Sequence, residues 1–162
     1  MKLIEIDKGI IEAFKKTIQD YNKNYIRLEE DMRACMYYHL RPLINKSDRI
    51  SIFLSHNVGF EEKTIKPDII IFKDKVEYVV IEMKLDLKNK QKGKKDRDRL
   101  KGFKKHIKRS YFLHIDKTLS FNFPTKQEWH DNYYNQLKFD VNSNKANHYC
   151  MKRGVVMRGE LL

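Results

Sequence analysis

The sequence predicts an α/β fold: a mixed sheet of about four to five strands flanked by helices, in three layers. Two observations lead there. Apolar residues recur at helical spacing in the first quarter of the chain, and three short β-branched runs between residues 49 and 87 precede a basic helical stretch and a fourth run. A meander of three strands, a helix and a returning strand implies a mixed sheet. The third observation is length. With 162 residues, no internal repeat and no Pro/Gly/Ser-rich linker, the whole of 1–162 reads as one domain able to close a single core.

In order along the chain, Ile10, Ile11, Phe14, Ile18 and Tyr21 predict a helix over about 8–22, broken by the polar run at 21–24. Leu28, Met32, Cys35, Met36, His39, Leu40 and Leu43 mark the buried stripe of a second helix, which Pro42 is expected to end or kink. RISIFLSHN (49–57), KPDIIIFKD (66–74) and KVEYVVIEMKLDL (75–87) read as strands, the last two joined as a hairpin. A helix over about 96–108 and a strand over 109–115 follow. TKQE, from Thr125 to Glu128, is a capping box that predicts a helix over 125–138, carrying Trp129, Tyr133 and Leu137. The tail is expected to add a short strand or two. The core is thus expected over about 26–115, with the helices at 8–22 and 125–138 as additions.

The formal net charge is +12. Residues 88–109 hold twelve Lys and Arg against Asp96 and Asp98, a local excess of +10. A block this dense repels itself and attracts a polyanion, so nucleic acid is the expected partner; a solvated Lys-rich surface is the plainer alternative. No segment couples this charge to a strongly apolar face, so a membrane is not expected. Cys35 and Cys150 form no CxxC and cluster with no His, which gives zinc no support; Cys35 is expected to be a buried thiol. The N-terminus lacks an apolar signal region and no run approaches spanning length, so the expected location is the cytoplasm.

The chemistry-bearing residues lie in the third strand. Alternation places Val79, Ile81, Met83 and Leu85 on one face, and Val80, Glu82, Lys84 and Asp86 on the other. Two charges directly after VVI in a central strand are costly unless paired or used. A buried Glu82–Lys84 pair, or an edge strand with one wet face, would explain them structurally. Asp68, just after Pro67, opens the preceding strand. It can share a face with Glu82 only if the hairpin has an odd loop or a β-bulge; a plain two-residue turn would oppose it to Ile81. Two carboxylates held together raise a pKa or recruit a cation. Mg²⁺ suits oxygen donors, and Lys84 beside it can polarise a water or neutralise a phosphate.

Pro67-Asp68, followed after 13 residues by Glu82-Met83-Lys84, resembles the PD-(D/E)XK nuclease superfamily, and IIIF and VVI sit where that family places its strands. The resemblance implies a restriction-endonuclease-like fold over about 26–115 and Mg²⁺-dependent hydrolysis of phosphodiester bonds, with DNA as the expected substrate and Mn²⁺ able to replace Mg²⁺. It implies that Asp68 and Glu82 bind the metal with the Met83 carbonyl, that Lys84 positions the attacking water, and that an acid on the first core helix assists. In LEEDMRACMYYHL that acid is Glu29, at the edge of the apolar stripe, rather than Glu30, which points away from it. An ordinary helix-dipole role is the alternative for Glu29. The resemblance places the basic helix beside the site, so that Lys88, Lys90, Lys92, Lys94, Lys95, Lys101, Lys104, Lys105 and Lys108 would hold the phosphate backbone without reading sequence. A homodimer would suit double-strand cutting. Tyr111, His114, Trp129 and Tyr133 read as core or surface aromatics rather than stacking groups. The rival functions are a non-catalytic nucleic-acid-binding module on the same fold and a regulatory domain that docks an acidic protein.

Overall fold

The structure, a computed structural model, describes residues 2–44, 49–60, 63–85, 100, 107–116, 135–152 and 155–161. Helix α1 (Leu3–Asn22) buries Ile6, Ile10, Ala13, Phe14, Thr17 and Ile18 along one stripe. Helix α2 (Glu29–Ile44) buries Met32, Met36, Leu40 and Ile44. The two helices close tightly at Gly9, where an added Cβ would stand 2.8 Å from Ile44 Cγ2. α1 therefore starts earlier than its periodicity suggests.

Pro42 does not end α2 where expected: it lies inside the helix, which runs on to Ile44. It removes the N–H that would bond the Tyr38 carbonyl, and Tyr38 is 74% exposed, on the side where water can take over. Leu28 is not buried: it precedes the helix and is 63% exposed. The helix start is secured by the Asp31 carboxylate, which accepts from the Arg27 and Leu28 N–H groups at 2.9 Å each. Those bonds hold the Asp31 carboxyl below the usual carboxylate range. Cys35 is half-buried rather than buried.

The strands are β1 (Ile50–Leu54), β2 (Val58–Phe60), β3 (Lys63–Ile65), β4 (Ile69–Lys73), β5 (Val76–Leu85), β6 (Arg109–Asp116), β7 (Asn135–Asp140), β8 (Lys145–Lys152) and β9 (Val155–Glu160). Among the described residues seven strands form one sheet in the order β1-β4-β5-β6-β7-β8-β9, more than the four to five expected, and β2 pairs with β3 separately. The sheet is mixed: β5, β6 and β7 run parallel, and the remaining neighbours are antiparallel. The fold is therefore α/β, with a mixed sheet packed against α1 and α2 among the described residues.

Residues 135–138, expected at the end of a helix, belong to β7. The run NQLKFD alternates: Leu137 and Phe139 join the helix-side core while Gln136, Lys138 and Asp140 take the other face. The capping box at 125–128 lies outside the described residues, as do Trp129 and Tyr133. In the expected 96–108 helix, Leu100 is described as helical and buried.

Each face of the sheet has its own apolar cluster. Ile69, Ile71, Val79, Ile81, Met83, Tyr111, Leu113, Ile115, Leu137 and Phe139 join α1 and α2 in one. Ile70, Val80 and Phe112 meet Val58 and Leu100 in the other. The alternation read along β5 is thus the alternation present. Among the described residues no helix is long and apolar enough to cross a membrane.

Candidate functional site

The hairpin between β4 and β5 decides whether the acids meet. Asp74 and Lys75 form a two-residue turn with φ of 56° and 65°, the left-handed pair of a tight hairpin. Arg49 braces it through an ion pair to Asp74. Alone, this turn would oppose Asp68 to Ile81. The register, however, shifts between Ile71 and Phe72: Phe72 pairs with Glu77, and Ile71 with Val79. Tyr78 is the extra residue of a β-bulge, and its carbonyl accepts the Lys108 N–H at 3.0 Å. Beyond the bulge Ile69 opposes Ile81, so one further step of the same register sets Asp68 opposite Glu82.

Asp68 lies just before the start of β4, after Pro67. Its main chain still continues the ladder to β1, its carbonyl accepting the Ser55 N–H at 3.0 Å. Its side chain turns to β5, where Oδ2 accepts the Met83 N–H at 2.7 Å. Burial pushes the Asp68 carboxyl above its usual value, opposed by the Met83 bond and by the positive charges of Arg33 and Lys84, and reinforced by the negative charge of Glu29. These four groups therefore share one electrostatic neighbourhood. Glu82, on the same strand face as Lys84, is 1% exposed.

The first turn of α2 supplies the other side. Glu29 Oε1 accepts from Lys84 Nζ at 2.8 Å, joining the start of the helix to the end of β5. Glu30 is mostly exposed and reaches only Arg33, at 3.8 Å. The choice of Glu29 over Glu30 matches this placement. Asp31 is occupied in capping. Of the expected metal set, Asp68, Glu82 and Met83 are brought together on neighbouring strands, while Glu29 is held by Lys84.

Two residues escaped the sequence reading. Arg33 sets Nε 3.6 Å from Asp68 Oδ1 and donates through Nη1 to Ser55 Oγ at 2.7 Å. The signal was present, because Arg33 is four residues from Glu29 and so shares its helix face. Ser55 could not have been found locally, since only the β1–β4 register brings it to Asp68.

Among the described residues no group of three or more His, Cys, Asp or Glu side chains is gathered as a metal cage. Mg²⁺ does not require one: one or two carboxylates, waters and substrate phosphate suffice. Asp68 and Glu82 are oxygen donors that the register brings level on adjoining strands, and Asp68 carries a charge that burial penalises. A cation there would offset that penalty, so the residues fit the ion.

Of the expected phosphate-binding lysines, Lys108 is exposed beside the bulge. Lys88, Lys90, Lys92, Lys94, Lys95, Lys101, Lys104 and Lys105 lie outside the described residues. Tyr111 is a core residue whose hydroxyl donates to Asp7 Oδ1 at 2.6 Å, and His114 is buried. No protein-family model, curated protein or solved structure matches the chain.

Proposed function

We propose that the chain is a metal-dependent nuclease hydrolysing phosphodiester bonds of nucleic acid, with DNA the expected substrate, on a three-layer restriction-endonuclease-like core in the cytoplasm. The observation that carries this reading is the bulged hairpin, whose register, carried one step past Ile69 and Ile81, brings Asp68 level with Glu82, with Lys84 bonded to Glu29 two residues further along β5. The resemblance of Pro67-Asp68 and Glu82-Met83-Lys84 to PD-(D/E)XK nucleases supports it, as does the basic stretch at 88–109.

Asp68 and Glu82 would hold Mg²⁺, or Mn²⁺ in its place, with the Met83 carbonyl. Bound there, the ion supplies Lewis-acid polarisation of a phosphoryl oxygen and a water of lowered pKa. Lys84 is half-buried and fixed by Glu29, so its ammonium is held where it can orient a water or neutralise phosphate charge. Arg33 presents a planar guanidinium suited to phosphate oxygens. Its Nε lies 3.6 Å from Asp68 Oδ1, and a cation on Asp68 would compete with that contact.

A second reading, a non-catalytic nucleic-acid-binding module, is favoured by one fact: Glu29 and Asp68 each already face a cation of the chain. Cleavage of plasmid in Mg²⁺ separates the two. Wild type should nick it and folded Lys84→Ala should not; equal nicking by both would reveal a contaminant and remove the enzymatic reading. Titration of Mn²⁺ calorimetrically should show binding that Asp68→Ala abolishes.

A further inference from the structure

Beside the acidic pair, on the same face, three aromatic rings pack on one another. Phe53 and Phe72 meet at 5.6 Å between centroids and 87°. His56 meets Phe72 at 5.6 Å and 85°, and Phe53 at 5.1 Å and 33°. Phe53 opposes Ile70 across the β1–β4 ladder, and Ile70 packs with Val80 and Phe72 on the face away from the helices. Asp68 and Glu82 lie two residues beyond Ile70 and Val80, on that same face. Phe53, in the Ile70 row, is therefore about 7 Å from the acidic row along the strands, and Phe72, four residues from Asp68 on β4, about 13 Å.

Ser55 joins the two rows. It sits between Phe53 and His56 in sequence, its N–H bonds the Asp68 carbonyl, and its hydroxyl receives Arg33. Its φ of 47° turns the chain, so that His56 folds back onto the two phenyl rings instead of continuing the strand. Although Phe72 is anchored on the second apolar cluster, Phe53 is 42% exposed and His56 is exposed. Exposed aromatic faces of this kind stack on any nucleobase, and they require the base to be unpaired. A duplex offers only stacked bases.

We propose that Phe53, His56 and Phe72 form a shelf for an unpaired nucleobase on the same face as the phosphodiester site proposed around Asp68, Glu82, Lys84 and Arg33, which makes single-stranded nucleic acid the preferred substrate. This rests on the nucleic-acid reading above and narrows it. The occupant follows from continuity: Ser55 and Arg33 tie the shelf to the phosphate-handling residues, so one nucleotide can present its base to one and its phosphate to the other.

The test is binding of fluorescein-labelled oligothymidylate in EDTA, measured by anisotropy, beside a duplex and a strand of the same backbone made of abasic residues. Wild type should prefer oligothymidylate to the abasic strand by about tenfold or more. Phe53→Ala should lose that preference and leave duplex binding unchanged, whereas Phe53→Trp should keep it. Phe53 is exposed enough that its truncation does not empty the core, and circular dichroism checks the fold. Equal affinity of wild type for base-bearing and abasic strands overturns the shelf while leaving the nuclease reading intact. The shelf also falls if Phe53→Ala instead abolishes self-association of the protein in sedimentation, which would make this edge strand a contact between copies of the chain. Wild type that binds no strand at all, either in EDTA or with Ca²⁺ in its place, would remove both readings.

Discussion

Lys84 and Lys138 stand in one row across the sheet, two strands apart, with His114 between them. Each holds a carboxylate at nearly the same distance, 2.8 Å to Glu29 and 2.7 Å to Asp116. Their access to water differs. The side chains of Lys84 and Glu29 are 17% and 29% exposed, those of Lys138 and Asp116 only 7% and 4%. A sealed pair has given up its hydration and depends on its partner; a half-open pair can exchange its partner for water, a cation or a phosphate. The contrast separates a sealed charge from one open to the role proposed for it, although both read from sequence as lysines alternating with apolar residues in a strand.

The sealed pair gives the largest expected effect. Lys138→Met leaves Asp116 buried without its cation and should cost about 3–5 kcal/mol of stability by urea denaturation, whereas the double change with Asp116→Leu should recover most of it. If Lys138→Met is silent, the pair is not sealed and the contrast fails. Lys84→Ala should behave in the opposite way, losing cleavage by about 100-fold or more at near-constant stability.

Arg33→Met sharpens the comparison further. It removes the cation facing Asp68, so Mn²⁺ affinity should rise, by about tenfold, while cleavage falls; calorimetry that shows unchanged affinity would mean that Arg33 does not compete with the ion. The smallest effect is that of Asp68→Asn on stability against pH. The folded-state pKa of Asp68 is raised by burial, so the folded protein binds its proton more tightly than the unfolded chain does. Stability therefore falls as pH rises from the unfolded value of 3.8 through the folded one. Asn keeps an acceptor for the Met83 N–H and carries no charge, so the variant should be more stable than wild type at neutral pH and lose that advantage below about pH 3.8. A variant less stable at every pH would show that the ionised carboxylate is net stabilising through Arg33 and Met83.

Much of the site was legible because it rests on local periods. Glu82 and Lys84 share a face through the two-residue repeat of a strand, and Glu29 rather than Glu30 points inward through the helical repeat. The parity of the hairpin could be posed as a requirement, since Asp68 and Glu82 needed an odd loop or a bulge, but the sequence did not say which. What misled was equally local. The capping box drew a helix through 135–138, where the alternation of Leu137 and Phe139 with Gln136, Lys138 and Asp140 marks a strand.

The chain's own pattern therefore settled which residues share a face, because backbone geometry repeats every two or 3.6 residues whatever the surroundings. The tertiary structure alone decided which faces meet and which charges pair: the single extra residue at Tyr78, the seven-stranded order, the Lys84–Glu29 contact across 55 positions, and the arrival of Arg33 at Asp68. Register and pairing depend on contacts between segments far apart in the chain, and a one-residue shift reverses every side chain of a strand. No local repeat records that choice.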